Sequence, residues 1–151
     1  MSDEVLIFTG DFKMRLERPF ASGGIKAGFP SPAQDYLGDV LDFNRDLITH
    51  PAATFYARVK GDSMIDAGID DGDILVIDRS LEAQDGDIVV AFLDGEFTIK
   101  TLSLKHKEEG YIELKPANKN YPVLHVDASE NFVVWGVVAW TIKRRAGRME
   151  M

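Results

Sequence analysis

The run Thr54-Phe55-Tyr56-Ala57-Arg58-Val59 and the stretch after it, Lys60-Gly61-Asp62-Ser63-Met64-Ile65-Asp66-Ala67-Gly68-Ile69, decide how this chain is read. Aromatic and β-branched residues in the first run predict a strand. Gly61 and Asp62 then end it, the glycine through its free φ and the aspartate through local side-chain hydrogen bonding. Ser63 follows at once, so its hydroxyl is expected at a strand end with backbone N–H groups of the turn beside it. Alone, a Gly-Asp-Ser turn is only a turn. Its meaning depends on what the rest of the chain brings to it.

Outward from this stretch the pattern stays β. Runs at 54–59, 74–78, 88–93, 97–104, 111–115 and 132–142 read as strands, broken by Asp71-Gly72, Asp85-Gly86 and Asp94-Gly95. The last pair suits a two-residue hairpin turn. One helix is expected earlier, where Ser31-Pro32-Ala33-Gln34 carries a serine cap, a proline at the first helical position and a glutamine that completes a capping box. Tyr36, Leu37, Val40 and Leu41 continue it at helical spacing, fading near Asn44.

A serine hydroxyl is a weak nucleophile until a base takes its proton. His50, His106 and His125 are scattered without a supporting pattern and read as surface or partly packed residues. The better candidate is Lys100, 37 positions after Ser63. In the alternating run 97–102, Phe97 and Ile99 fall on one face and Thr98, Lys100 and Leu102 on the other. A lysine serves as base only if its pKa falls from about 10.4 towards neutrality, and three units correspond to roughly 4 kcal/mol. Burial beside apolar residues is the physical route, with Leu102 and Met64 as expected neighbours.

Several ordered motifs together resemble the self-cleaving LexA-like serine peptidases, and within them the UmuD proteins of error-prone DNA synthesis. They are Gly28-Phe29-Pro30-Ser31-Pro32-Ala33, Gly61-Asp62-Ser63-Met64-Ile65-Asp66, Asp70-Asp71-Gly72-Asp73 and Asp94-Gly95-Glu96-Phe97-Thr98-Ile99-Lys100. The likeness continues through 132–138 and spans nearly all of residues 27 to 142. It implies a mainly β fold, a LexA- or signal-peptidase-like catalytic β domain with one short helix and a flexible N-terminal arm. It also implies a Ser63–Lys100 dyad, an oxyanion hole from the backbone N–H groups of Ser63 and Asp62, and a scissile Ala27–Gly28 bond. Ala-Gly is the pair of the LexA-like repressors. Residues 1–27 are then an arm removed by self-cleavage and 28–151 the peptidase domain. By the same resemblance the partners are a second copy of the chain, a RecA filament on single-stranded DNA and a Y-family DNA polymerase subunit.

Composition sets bounds on these expectations. The chain has 151 residues, 45% of them hydrophobic, enough for one core. A net charge of −8 argues against sequence-specific DNA binding by the main domain, since phosphate contacts need clustered Lys and Arg. The roughly 27 residues before the catalytic part are too few for a helix-turn-helix. Lys143, Arg144, Arg145 and Arg148 form the basic cluster, read as a solvated tail. Disulfides and thiol chemistry are excluded by the lack of cysteine. With no apolar run of spanning length and no export signal, the expected location is the cytoplasm, not a membrane.

The acidic run 70–73 lacks the spacing of a calcium loop and reads as turn chemistry, so neither metal nor cofactor is expected. Val5, Leu6, Ile7, Phe8 and Phe12 form a sticky patch for the body or a partner, and Ser22-Gly23-Gly24 a joint. The residues before Pro30 and Pro32 are pushed extended, and small Ala27 and Gly28 then suit a narrow cleft. Two other classes share these features. A membrane signal peptidase uses the same Ser/Lys chemistry but needs a spanning segment, and an interaction module of the same fold needs neither Ser63 nor Lys100.

Overall fold

A computed structural model describes residues 4–9, 17–19 and 40–147. It divides into two compact units, residues 1–10 with 52–151, and residues 11–51. The larger unit is one eight-stranded antiparallel sheet. Its strands are β1 (Glu4–Thr9), β4 (Thr54–Lys60), β5 (Ile74–Asp78), β6 (Ile88–Leu93), β7 (Glu96–Ser103), β8 (Tyr111–Lys115), β9 (Leu124–Asp127) and β10 (Phe132–Ile142). In the smaller unit, β2 (Glu17–Pro19) pairs with β3 (Val40–Asp42), followed by a single helical turn, α1 (Phe43–Asp46).

The large sheet runs in the order β1-β4-β5-β10-β6-β7-β8-β9. β10 therefore joins two halves, β1-β4-β5 and β6 to β9. On β6, the consecutive residues Val89, Val90 and Ala91 are all fully buried, so both faces of the sheet are covered there. The sheet provides that cover by curling. Val90 and Ile99 share one cluster with Ala57, Val59, Leu75 and Ile77, while Val89, Ala91, Leu102 and Leu114 form a second. Strands from opposite halves thus meet in the first core.

All six strands expected from the sequence are present, within one or two residues at their ends. Asp94 (φ 51°) and Gly95 (φ 85°) make the β6–β7 turn with positive φ at both central positions, the twist a two-residue hairpin favours. β9 was not foreseen, because Leu124-His125-Val126-Asp127 is too short to show a period. Of the sticky N-terminal patch, Val5, Leu6, Ile7 and Phe8 lie in β1, and Phe12 lies outside the described residues. β1 pairs with β4 over six residues, and Ile7 packs on the first core.

The expected helix needs correction. It does not run through Val40 and Leu41, which are strand residues paired with Pro19 and Arg18. Residues 31–39 lie outside the described residues. Among the described residues helical structure starts at Phe43, where Asp42 accepts from the backbone N–H groups of Asn44 (3.0 Å) and Arg45 (3.4 Å). Asp46 accepts from the Asp42 N–H in return, and the Arg45 guanidinium beside it holds its carboxyl at about 2.

The basic tail is not wholly solvated either. Lys143 Nζ donates to Asp70 Oδ2 (2.7 Å) and to buried Asp73, which also accepts from the Asp70 N–H. The acidic run is turn chemistry, as expected, with Gly72 at φ 89°, but it also anchors the segment after β10. These two hydrogen bonds, to Asp70 first, raise the Lys143 ammonium above its ordinary value. A raised lysine stabilises fully below its unfolded value and loses that contribution as pH climbs through the folded one. Lys143→Met is therefore expected to lower the melting temperature at neutral pH, and the difference from wild type is expected to shrink above about pH 10.5.

β10 shifts register against β6 between Val134 and Gly136, and against β5 between Val138 and Trp140. Gly136 sits at the first shift because a Cβ there would meet Ile77 Cγ2 at 2.5 Å. Its neighbour Trp135 is covered by the Arg79 guanidinium, 4.3 Å from the ring. Gly136→Ala is expected to cost about 1–3 kcal/mol in denaturant unfolding with the slope unchanged, since overpacking a filled site has that range.

Candidate active site

β4 ends at Lys60, and Gly61, at φ 104°, turns the chain. An L side chain is strained at that angle, which explains the glycine. Asp71 Oδ1 accepts from the Gly61 N–H at 2.9 Å, and the Ile65 N–H donates to the Asp62 carbonyl at 3.2 Å. This tight turn carries Ser63 inward, leaving it 1% exposed. Met64 beside it is buried in the first core.

Lys100 comes from the other half of the sheet. It sits on β7 opposite Val89 and is 6% exposed. Four strand steps separate β4 from β7, a span of roughly 19 Å in a flat sheet at about 4.8 Å per step. Yet Lys100 Nζ lies 3.3 Å from Ser63 Oγ. The curl of the sheet closes that distance. Nζ also donates to Thr98 Oγ1 (2.7 Å) and to the Ile99 carbonyl (3.1 Å). Thr98 is two residues before Lys100 on the same strand face, as the alternation anticipated. All three of these partners are uncharged oxygens. Leu102, one of the two expected apolar neighbours, is buried in the second core.

A second segment clamps the serine turn. The Ala117 N–H donates to the Ser63 carbonyl (2.7 Å), and the Asp66 N–H donates to the Ala117 carbonyl (2.8 Å). Asn118 Nδ2 donates to the Asp62 carbonyl (3.0 Å), and the Tyr121 hydroxyl to Asp62 Oδ1 (2.6 Å). Sequence reading missed this clamp, since residues 117–121 carry no period and their partners lie more than 50 positions away. It also gave Asp62 a local hydrogen bond, whereas the side chain reaches Tyr121. Asn-Lys-Asn-Tyr-Pro, at 118–122, offers polar groups on a turn and is the one signal available.

Beside the pair lies a cavity of about 570 Å³. Leu93, Phe97, Pro122 and Leu124 make its apolar wall, Asp62 and Glu96 its acidic rim, and Lys100 reaches into it. A site of this shape takes an extended apolar segment with a few polar anchors. His106 and His125 are elsewhere, drawn to Glu113 at 3.3 and 3.2 Å around Tyr111. Ala27 and Gly28 lie outside the described residues.

A hydroxyl and an amine within hydrogen-bond reach, both withdrawn from water beside an apolar cleft, suit acyl transfer. The family model for Peptidase S24-like proteins matches residues 19–139. The chain belongs to that family. Its members are self-cleaving serine peptidases. Protein MucA of Salmonella typhimurium is 46% identical over 125 residues, covering 82% of this chain and 83% of that protein. Protein ImpA of Shigella flexneri is 44% identical over 127 residues, 84% of each chain. Both are UmuD-like, as the sequence motifs implied. The LexA repressor of Clostridium kluyveri is 44% identical over 105 residues, 70% of this chain and half of the repressor. Among the described residues no helix is long and apolar enough to cross a membrane.

Removing one hydroxyl tests the clamp. Tyr121→Phe is expected to lower unfolding free energy by about 1 kcal/mol, the usual net value of one such bond. Amide exchange is expected to speed up at Ser63 and Met64, and in β6 by no more than about fivefold, the factor for 1 kcal/mol.

Proposed function

We propose that this chain is a serine endopeptidase that cuts itself between Ala27 and Gly28. The observation that carries the reading is the 3.3 Å approach of Lys100 Nζ to Ser63 Oγ, with both groups almost fully buried. Burial disfavours an ammonium, so it favours the neutral amine a general base must be. Lys100 then takes the proton from Ser63 Oγ as that oxygen bonds to the Ala27 carbonyl carbon. The tetrahedral oxyanion is held by the backbone N–H groups of Ser63 and Asp62. Collapse breaks the Ala27–Gly28 bond, and Lys100 returns the proton to the departing Gly28 amine. Water, deprotonated in turn by Lys100, attacks the Ala27–Ser63 ester and frees both the acid and the hydroxyl. Thr98 positions Nζ through its 2.7 Å hydrogen bond.

Residues 1–27 act as the removable arm, and 28–151 as the shortened product. The likeness to UmuD-like relatives supports a wider role in the DNA-damage response. In it, a RecA filament on single-stranded DNA stimulates the cut in the cytoplasm. The shortened chain, as a homodimer, joins a Y-family polymerase for synthesis past lesions.

An intact-mass time course, with and without RecA, ATP and single-stranded DNA, tests the chemistry. Fragments ending at Ala27 and starting at Gly28 are expected, faster with the filament and faster as pH rises from about 7 to about 10. Ser63→Ala is expected to yield none, and Lys100→Ala to slow the cut by about 10²–10⁴-fold. A rate flat across that pH range would remove lysine as the base. Full-length mass under every condition, with the filament active on a control substrate, would leave an interaction module.

A further inference from the structure

Among its described residues, the segment before the proposed cut is held at two places, over residues 4–9 and 17–19. β1 pairs with β4 from Glu4 opposite Lys60 to Thr9 opposite Phe55. Ile7, opposite Ala57, packs on the core cluster that also holds Ala57, Val59 and Ile99. β2 separately pairs with β3 over three residues, Glu17 opposite Asp42 to Pro19 opposite Val40. The proposed scissile bond falls between β2 and β3 in sequence. Hydrolysis there ends covalent continuity and removes no hydrogen bond from either ladder.

Two consequences follow from strand chemistry. Losing β1 would bare the edge of β4, a row of unpaired N–H and C=O groups, and uncover the place filled by Ile7. Because β1 and β2 belong to one fragment, departure of that fragment requires both pairings to open together, so each raises the effective concentration of the other.

We infer that scission does not release residues 1–27: β1 remains seated on the edge of β4 as a non-covalent strand ligand, and the cut protein is a two-piece complex. The N-terminal piece leaves in a separate step, by exchange for another extended segment that offers an apolar side chain opposite Ala57. This inference rests on the proposed cut between residues 27 and 28.

To keep the two ideas apart, the full chain is prepared as Ser63→Ala with a site-specific protease sequence placed within residues 20–26. It is then cut by the added protease, so the outcome does not depend on self-cleavage. Native mass spectrometry at micromolar concentration is expected to show fragment and body as one species. The same chain carrying Ile7→Asp is expected to retain the fragment at least about tenfold less, the ratio for 1.4 kcal/mol. Ile7→Ala serves where Ile7→Asp does not fold, with the same expectation. Separate masses for fragment and body in the unaltered strand would overturn the inference, as would equal retention of the Ile7 variants.

Discussion

Keeping a lysine amine out of water beside a serine hydroxyl is the constraint on which the rest of this structure depends. A buried amine also needs acceptors for its N–H groups, since an unpaired polar group in an apolar interior costs roughly 1–3 kcal/mol. Lys100 receives that support from its own strand, through Thr98 Oγ1 and the Ile99 carbonyl. The third oxygen, Ser63 Oγ, comes from the far half of the sheet. Burial and assembly of the pair are thus one problem. Solving it requires the sheet to curl, and the curl requires β6 to present apolar residues on both faces, as Val89, Val90 and Ala91 do.

The serine half of the pair is held with corresponding care. Gly61 gives the turn its positive φ, Asp71 binds the Gly61 N–H, and the segment from Ala117 to Tyr121 ties down the Asp62 and Ser63 backbone and the Asp62 side chain. A hydroxyl on a turn is ordinarily mobile. Here the backbone that carries it is held from outside the turn, which is how supporting residues fix a side chain's geometry.

Much of this was legible in the sequence, and the reasons differ by element. The strands were readable because each shows β-branched or aromatic residues between Asp-Gly breaks, and the Asp94-Gly95 hairpin places Lys100 in a definite register. Ser63 and Lys100 stood out through their turn and strand settings, and the ordered motifs gave the family. The clamp was not readable, since Asn118 and Tyr121 lie 56 and 59 positions after Asp62 and meet it only once the chain has folded back. The helix over 31–44 went wrong at its end because Val40 and Leu41 satisfy a 3.6-residue period and also suit a strand. The ladder to Arg18 and Pro19 decides in favour of the strand. Lys143 looked like tail because its partners, Asp70 and Asp73, belong to a distant turn.

The strand order has a consequence for the order in which the protein is made. Ser63 follows β4 and Lys100 lies on β7, and among the described residues the sheet ladder joins those halves through β10, which follows both in the chain. A ribosome has synthesised both residues, and the segment that clamps the serine, well before Phe132 emerges. The bulges of β10, one toward each half, set the registers that bring hydroxyl and amine together. The ladder that joins the two halves can therefore form only once β10 has been made, after both residues and the clamp.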